Sequence, residues 1–174
     1  DQIIEPASVV KGIAIDKAGE ALGNGVSFMI NAGGDILTHG SFKDGAPWNI
    51  AIQDPDNPRS VVSVIKIQNA GIATSGIYQT HGEKDGKKWH HLINMNTGEA
   101  SFNQGSIVSA TVIAPTCEQA DTEATLAVLL GVEQATLRLN RLNLPYFLIR
   151  DDRKIIKDAK FTTLKLPFDK GGLF

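Results

Sequence analysis

Asp121 and Thr125 stand four residues apart in the run Pro115-Thr116-Cys117-Glu118-Gln119-Ala120-Asp121-Thr122-Glu123-Ala124-Thr125. On a helix that spacing puts a carboxylate and a hydroxyl on one face, one turn apart. Two oxygen donors so placed suit a hard cation such as Mg²⁺, which takes oxygen ligands and keeps positions open for substrate phosphates. A polar stripe on a surface helix, with Thr125 bonded back to the Asp121 carbonyl, accounts for the same pair without any ligand. Gly33 and Gly34, set between apolar strands, either admit a ligand close to the main chain or simply turn a hairpin. Gly12 sits inside a helical pattern at a cost of about 1 kcal/mol against alanine, so either something approaches its backbone closely or the glycine is simply tolerated. Ser75 makes a poor nucleophile, because its flanks form no strand-to-helix elbow. His90 and His91 are adjacent and so face opposite ways on a strand. No His-x-x-x-His or comparable spacing supports zinc.

These residues need elements to hold them. Thr116 followed three residues later by Gln119 is a capping-box pattern, and Gly131 is a natural helix terminator, so a helix is predicted over 116–131. Glu133 opens a second helix with Leu137, Leu139 and Leu142. Upstream, Ser8 opens a helix whose apolar face is Val9, Val10, Ile13, Ala14, Ala18, Ala21 and Leu22, ended by Gly23. Strands are predicted at Val26–Ile30, at Ile36-Leu37, along Trp48, Ile50 and Ile52, along Val62 to Ile67, at Lys88–Asn94 and at Ser106–Ala114. Tyr146–Ile149 and Lys154–Lys157 form a hairpin across Asp151-Asp152-Arg153. Gly71-Ile72-Ala73-Thr74-Ser75-Gly76 is small and polar, in the manner of a backbone packed close to a site. Antiparallel-looking strands around a few helices make an α+β fold, read as a single domain over 1–174.

The 174 residues suffice for one core, and the 42% hydrophobic and 21% charged fractions describe an ordinary globular chain. A net charge of −2 gives no electrostatic case for nucleic acid. Cys117, the one cysteine, excludes an internal disulfide and a multi-cysteine zinc site. No run approaches the ~18 apolar residues of a membrane span, and no signal-peptide pattern is present. The sequence starts at Asp1 without an initiator Met, so a leader, an anchor or a larger N-terminal segment is expected upstream.

Several separated patterns then fall in order. Lys11-Gly12-Ile13-Ala14-Ile15-Asp16 resembles a Lys-Gly-x-Ala-x-Asp signature. Asn31-Ala32-Gly33-Gly34-Asp35, Pro47-Trp48 and Ile72-Ala73-Thr74-Ser75-Gly76-x-Tyr78 resemble its companions. His91-Leu92-Ile93-Asn94 with Thr97-Gly98 is similar to a His-Ile-Ile-Asp-Pro-x-Thr-Gly block, and Ala120-Asp121-x-x-Ala124-Thr125 closes the set. Together they resemble the FAD:protein FMN transferase, or ApbE-like, family.

That resemblance implies a T-fold-related α+β domain of mixed or antiparallel sheets with packed helices. It implies an Mg²⁺-dependent bacterial flavoprotein transferase that splits FAD, passes FMN to a Thr or Ser hydroxyl of an acceptor flavoprotein with an Asp-Gly-x-Thr/Ser-like motif, and releases AMP. It assigns the metal to Asp121, Thr125 and the Ala14 carbonyl, and the catalytic base to His91. The FAD pocket falls to Lys11, Asp16, Asn31, Gly33, Gly34, Asp35, Thr74 and Ser75. It also implies attachment on the outer side of a membrane through an N-terminal anchor, with a cytoplasmic protein as the alternative.

Two departures shape the alternatives. Asn94-Met95 replaces the family's Asp-Pro beside His91, and the motifs span only the C-terminal two thirds or so of a usual member. Beside the transferase stand an FAD pyrophosphatase, which yields FMN and AMP without an acceptor, and a non-catalytic FAD-binding module. A homodimer or the missing N-terminal segment would cover the exposed core.

Overall fold

A computed structural model of the chain describes residues 7–77, 81–84, 87–90, 106–161 and 163–164. Helix α1 (Ala7–Leu22) leads into a hairpin of β1 (Phe28–Ala32) and β2 (Asp35–His39). Next come β3 (Trp48–Asp54), β4 (Asn57–Ile67), β5 (Ala70–Gly76), β6 (His81–Lys84), β7 (Lys87–His90) and β8 (Ile107–Ala114). Helix α2 (Cys117–Arg141), β9 (Tyr146–Arg150), β10 (Ile155–Lys157) and β11 (Thr163–Leu164) follow, and a short 3-10 turn at Lys43–Gly45 links β2 to β3. A six-stranded sheet runs β1-β2-β5-β8-β9-β10, a three-stranded sheet β11-β4-β3, and β6 pairs with β7. Every pairing among the described strands is antiparallel, so the α+β expectation holds and its sheets are antiparallel.

Side-chain alternation sorts the six-stranded sheet into two faces. Ala73, Ala110, Val112 and Ala114 pack with Ala120, Ala124 and Ala127 of α2, so this face lies under the helices. Ile36, Ile72, Phe147 and Ile149 pack with Ile50, Ile52, Ile65 and Ile67, so the other face meets the three-stranded sheet. The result is three layers, helices on sheet on sheet. The run of alanines under α2 lets the helix sit close, and Gly71 takes this furthest. A Cβ there would lie 2.5 Å from the Thr116 carbonyl oxygen and the Cys117 nitrogen. The segment 71–76, read from sequence as backbone close to a site, is thus the strand against which α2 is seated.

Of three local expectations, one is overturned and two agree over the described residues. As expected, Gly131 ends the first helical run at φ 74 and ψ 172, a region open essentially to glycine, and a second helical run carries α2 on to Arg141. Glu123 and Arg138 nevertheless meet in two hydrogen bonds of 2.6 and 2.7 Å. Fifteen residues of straight helix would hold them about 22 Å apart, so Gly131 folds the second half of α2 back along the first. On α1 the apolar residues expected to face inward are instead partly outside: Val10, Ile13 and Leu22 are exposed. The inner stripe is Gly12, Ile15 and Gly19: Gly12 lets α1 approach α2 at backbone distance, and Gly19 makes room for Leu37 and Phe28 of the hairpin. Finally, the strand expected over Lys88–Asn94 is present as β7 (Lys87–His90) as far as the structure describes it, and 91–105 lie outside the described residues.

Among the described residues, no helix is long and apolar enough to cross a membrane.

Candidate functional site

The site is built where α1, the start of β2, the end of β5 and the first turns of α2 converge on the helix-covered face of the large sheet. Asp35 opens β2 directly after the Gly33-Gly34 turn and is 1% exposed. Its Oδ2 lies 2.7 Å from Nζ of Lys11, whose side chain is half exposed, and takes no further hydrogen bond. Asp121, one turn into α2, is 6% exposed and faces Asp35. Burial, and then the Asp35 charge, push the Asp121 carboxyl up to about 6 against the opposing pull of Lys11 and the Gly12 amide. Asp121 Oδ2 is buried without a hydrogen-bond partner. A buried, orphaned carboxylate oxygen facing a second carboxylate is costly unless a cation takes it.

Thr125 follows one turn above Asp121, and its hydroxyl lies 2.9 Å from that of Ser75. The face therefore presents two carboxylates, two hydroxyls and one ammonium. Among the described residues no three or more His, Cys, Asp or Glu side chains are placed to hold a metal ion between them, so any cation here relies on hydroxyl and carbonyl oxygen as well as carboxylate. The donor set is all oxygen, which fits a hard divalent ion and not a thiophilic one.

The remaining residues picked out from the sequence divide. Ala14 lies inside α1, three positions beyond Lys11, with an exposed side chain and a carbonyl that belongs to the helix ladder. Asn31, Gly33 and Gly34 make the turn that delivers Asp35. Both glycines have positive φ, 63° and 99°, and the Gly34 amide donates to Asn31 Oδ1 at 3.0 Å. The hairpin alternative for this stretch is what forms, a two-residue turn of the primed kind. Thr74 points to the opposite face from Ser75 and shares a 2.8 Å hydrogen bond with Thr111, so it does not join Asp121 and Thr125. Asp16 spends both oxygens on the first amides of α2, accepting from Cys117 at 2.8 Å and Glu118 at 2.9 Å. His91, with Asn94-Met95, lies outside the described residues.

Sequence reading did not foresee that Asp35 and Asp121 would meet, nor that α2 would explain Gly12. A Cβ on Gly12 would fall 2.6 Å from the Glu118 Cα. The signal for the second was present as a glycine inside an apolar helix; the first joins residues 86 positions apart and leaves no local trace.

Residues 2–148 match the ApbE family. The chain belongs to the ApbE family. It is 34% identical over 168 residues to a Haemophilus influenzae protein named FAD:protein FMN transferase, covering 94% of this chain and 48% of that protein. The Escherichia coli K12 protein of the same name is 35% identical over 152 residues, 86% of this chain and 43% of its own. Among solved structures, the flavin transferase ApbE of Vibrio cholerae superposes with a TM-score of 0.76 at 30% identity, covering 91% of this chain and 51% of that one. The Thermotoga maritima ApbE protein shares the fold at a TM-score of 0.81. This ApbE-family chain spans about half the length of the curated relatives it matches.

Proposed function

We propose that this chain carries the cation-binding part of an Mg²⁺-dependent flavin transferase, which moves FMN from FAD to a Thr or Ser hydroxyl of an acceptor flavoprotein with release of AMP. The observation that carries the reading is the buried Asp35–Asp121 pair with its unpartnered Asp121 oxygen, set beside Lys11 in an ApbE-family chain. Asp121, Thr125 and the Ala14 carbonyl are the residues that would hold Mg²⁺. When bound, the ion supplies positive charge for the pyrophosphate.

The chain's own residues supply the rest. Lys11 presents an ammonium, half exposed and already drawn toward the site by Asp35, to the phosphates. Asp35 fixes that ammonium in place. Ser75 holds the Thr125 hydroxyl in orientation through their 2.9 Å contact. His91, with a reference pKa near neutrality, is the proposed base that takes the proton of the acceptor hydroxyl. The new bond joins the acceptor oxygen to the FMN phosphorus. The bond broken joins that phosphorus to the bridging oxygen, which leaves with AMP. Positioning and charge are most of what such a transfer requires.

Incubation of the full-length protein that contains this chain with FAD, Mg²⁺ and a threonine-bearing acceptor is expected to yield AMP together with a fluorescent acceptor band. Asp121→Ala is expected to abolish both. AMP and free FMN without any acceptor would assign hydrolysis instead. Tight FAD binding with no product at any Mg²⁺ concentration, or products unchanged by Asp121→Ala, would refute the reading.

A further inference from the structure

The first three amides of a helix normally seek partners, and with the helix dipole they make a ready anion site. In α2 none of them is available. Asp16 accepts from Cys117 and Glu118, and the Thr116 hydroxyl accepts from Gln119 at 3.2 Å. The end of α2 is therefore closed by a carboxylate from α1 and not by a phosphate. The closure has a second contact. Gly12 lies four residues before Asp16 on α1 and sits against the Glu118 backbone, where a Cβ on it would fall 2.6 Å from the Glu118 Cα. The Asp16 hydrogen bonds and the Gly12 contact thus both lock α1 against the first turn of α2.

We infer that Asp16 is a positioning residue acting through α2: its carboxylate fixes the first turn of that helix and thereby the place of Asp121, and it does not contact the flavin. The inference rests on the cation-seat reading proposed above. Both Asp16 oxygens are committed to main-chain donors at ordinary charge-assisted distances, which leaves it no oxygen free of a protein partner. A group that orients a metal ligand in this way typically costs about tenfold or more in cation affinity when removed.

The test uses the 174-residue chain and its Asp16→Ala and Asp16→Asn variants, with Mn²⁺ as the probe. Four quantities are read: the unfolding midpoint, amide exchange at Cys117 and Glu118, Mn²⁺ affinity by electron paramagnetic resonance without flavin, and FAD affinity in cation-free buffer. In Asp16→Ala we expect lost protection at Cys117 and Glu118 and roughly a tenfold weaker Mn²⁺ site, with FAD affinity unchanged. Asp16→Asn keeps one acceptor oxygen and is expected to recover part of both losses. Weaker FAD binding with intact protection at Cys117 and Glu118 would make Asp16 a flavin contact and overturn the inference. A lower midpoint with unchanged Mn²⁺ affinity would reduce it to a structural cap and overturn it as well. Should the wild-type chain bind no Mn²⁺, the cation-seat reading itself falls and takes the inference with it. Should wild type and Asp16→Ala bind Mn²⁺ equally, the inference alone falls.

Discussion

Replacing Gly12 by alanine sets two effects against each other. In an ordinary helix interior the change stabilises by about 1 kcal/mol, because alanine restricts the unfolded chain and glycine does not. Here the new methyl would lie 2.6 Å from the Glu118 Cα, 2.8 Å from its nitrogen and 3.0 Å from the Cys117 carbonyl carbon, all backbone atoms that cannot rotate aside. Ordinary contact begins at 3.4 Å, so α1 and α2 must part by about 0.8 Å. Such a shift would stretch the Asp16 hydrogen bonds beyond useful range. Overpacking of this kind costs ~1–3 kcal/mol, and a weakened charged hydrogen bond about 1.5 kcal/mol more. Gly12→Ala is therefore expected to destabilise by about 2 kcal/mol, or roughly 4–8 °C in Tm for a chain of this size. Gly19→Ala on the same helix is the control. Its methyl would meet the Leu37 Cδ2 at 2.6 Å, the far end of a flexible side chain that can swing away, so a near-neutral change is expected. Urea unfolding of both variants decides the matter. A Gly12→Ala protein as stable as wild type, or more stable, would refute the close packing of α1 on α2.

Other consequences are simpler to check. Gly34, at φ 99°, resists any side chain; Gly34→Ala should cost about 1–2 kcal/mol in urea unfolding and disturb Asp35 next to it. Cys117 is fully buried, and burial followed by the charges of Asp35, Asp16 and Asp121 pushes its thiol up to about 12. Iodoacetamide at pH 8 should therefore leave native protein unlabelled and label it only on unfolding, as mass spectrometry would read. The Arg153 hydrogen bond holds the Asp54 carboxyl below its ordinary value. A lowered folded pKa stabilises above the unfolded value and is lost as pH falls through the folded one. Asp54→Asn should accordingly lower the unfolding midpoint slightly at pH 7 and not at all once the carboxyl is protonated in acid.

The sequence made some of this visible and hid the rest for identifiable reasons. Local signals survived intact: Thr116 caps α2, Gly23 at φ 73° ends α1, and the Gly33-Gly34 turn closes a hairpin. Alternation placed β3, β8 and the β9–β10 hairpin near their observed bounds. The faces of α1 were misassigned because hydrophobicity was read as burial, whereas its inner stripe is selected for smallness at Gly12 and Gly19. Gly131 was legible as the end of the first helical run, but the Glu123–Arg138 pair that folds the second run back across it joins residues too distant in sequence to suggest each other. The same limit applies at the site. Asp121 and Thr125 declared themselves by helical spacing, but Thr74 and Ser75 were read together although a strand sends neighbours to opposite faces. The Asp35–Asp121 contact depends on α2 crossing the start of β2, which no local pattern encodes.

The most direct test of the central claim is where a divalent cation sits. Anomalous diffraction from crystals of this chain soaked in Mn²⁺ should show one ion at bonding distance from Asp121 Oδ2, with Thr125 among its neighbours. An ion bound elsewhere with Asp121 Oδ2 left bare, or no ion at saturating Mn²⁺, would contradict the account.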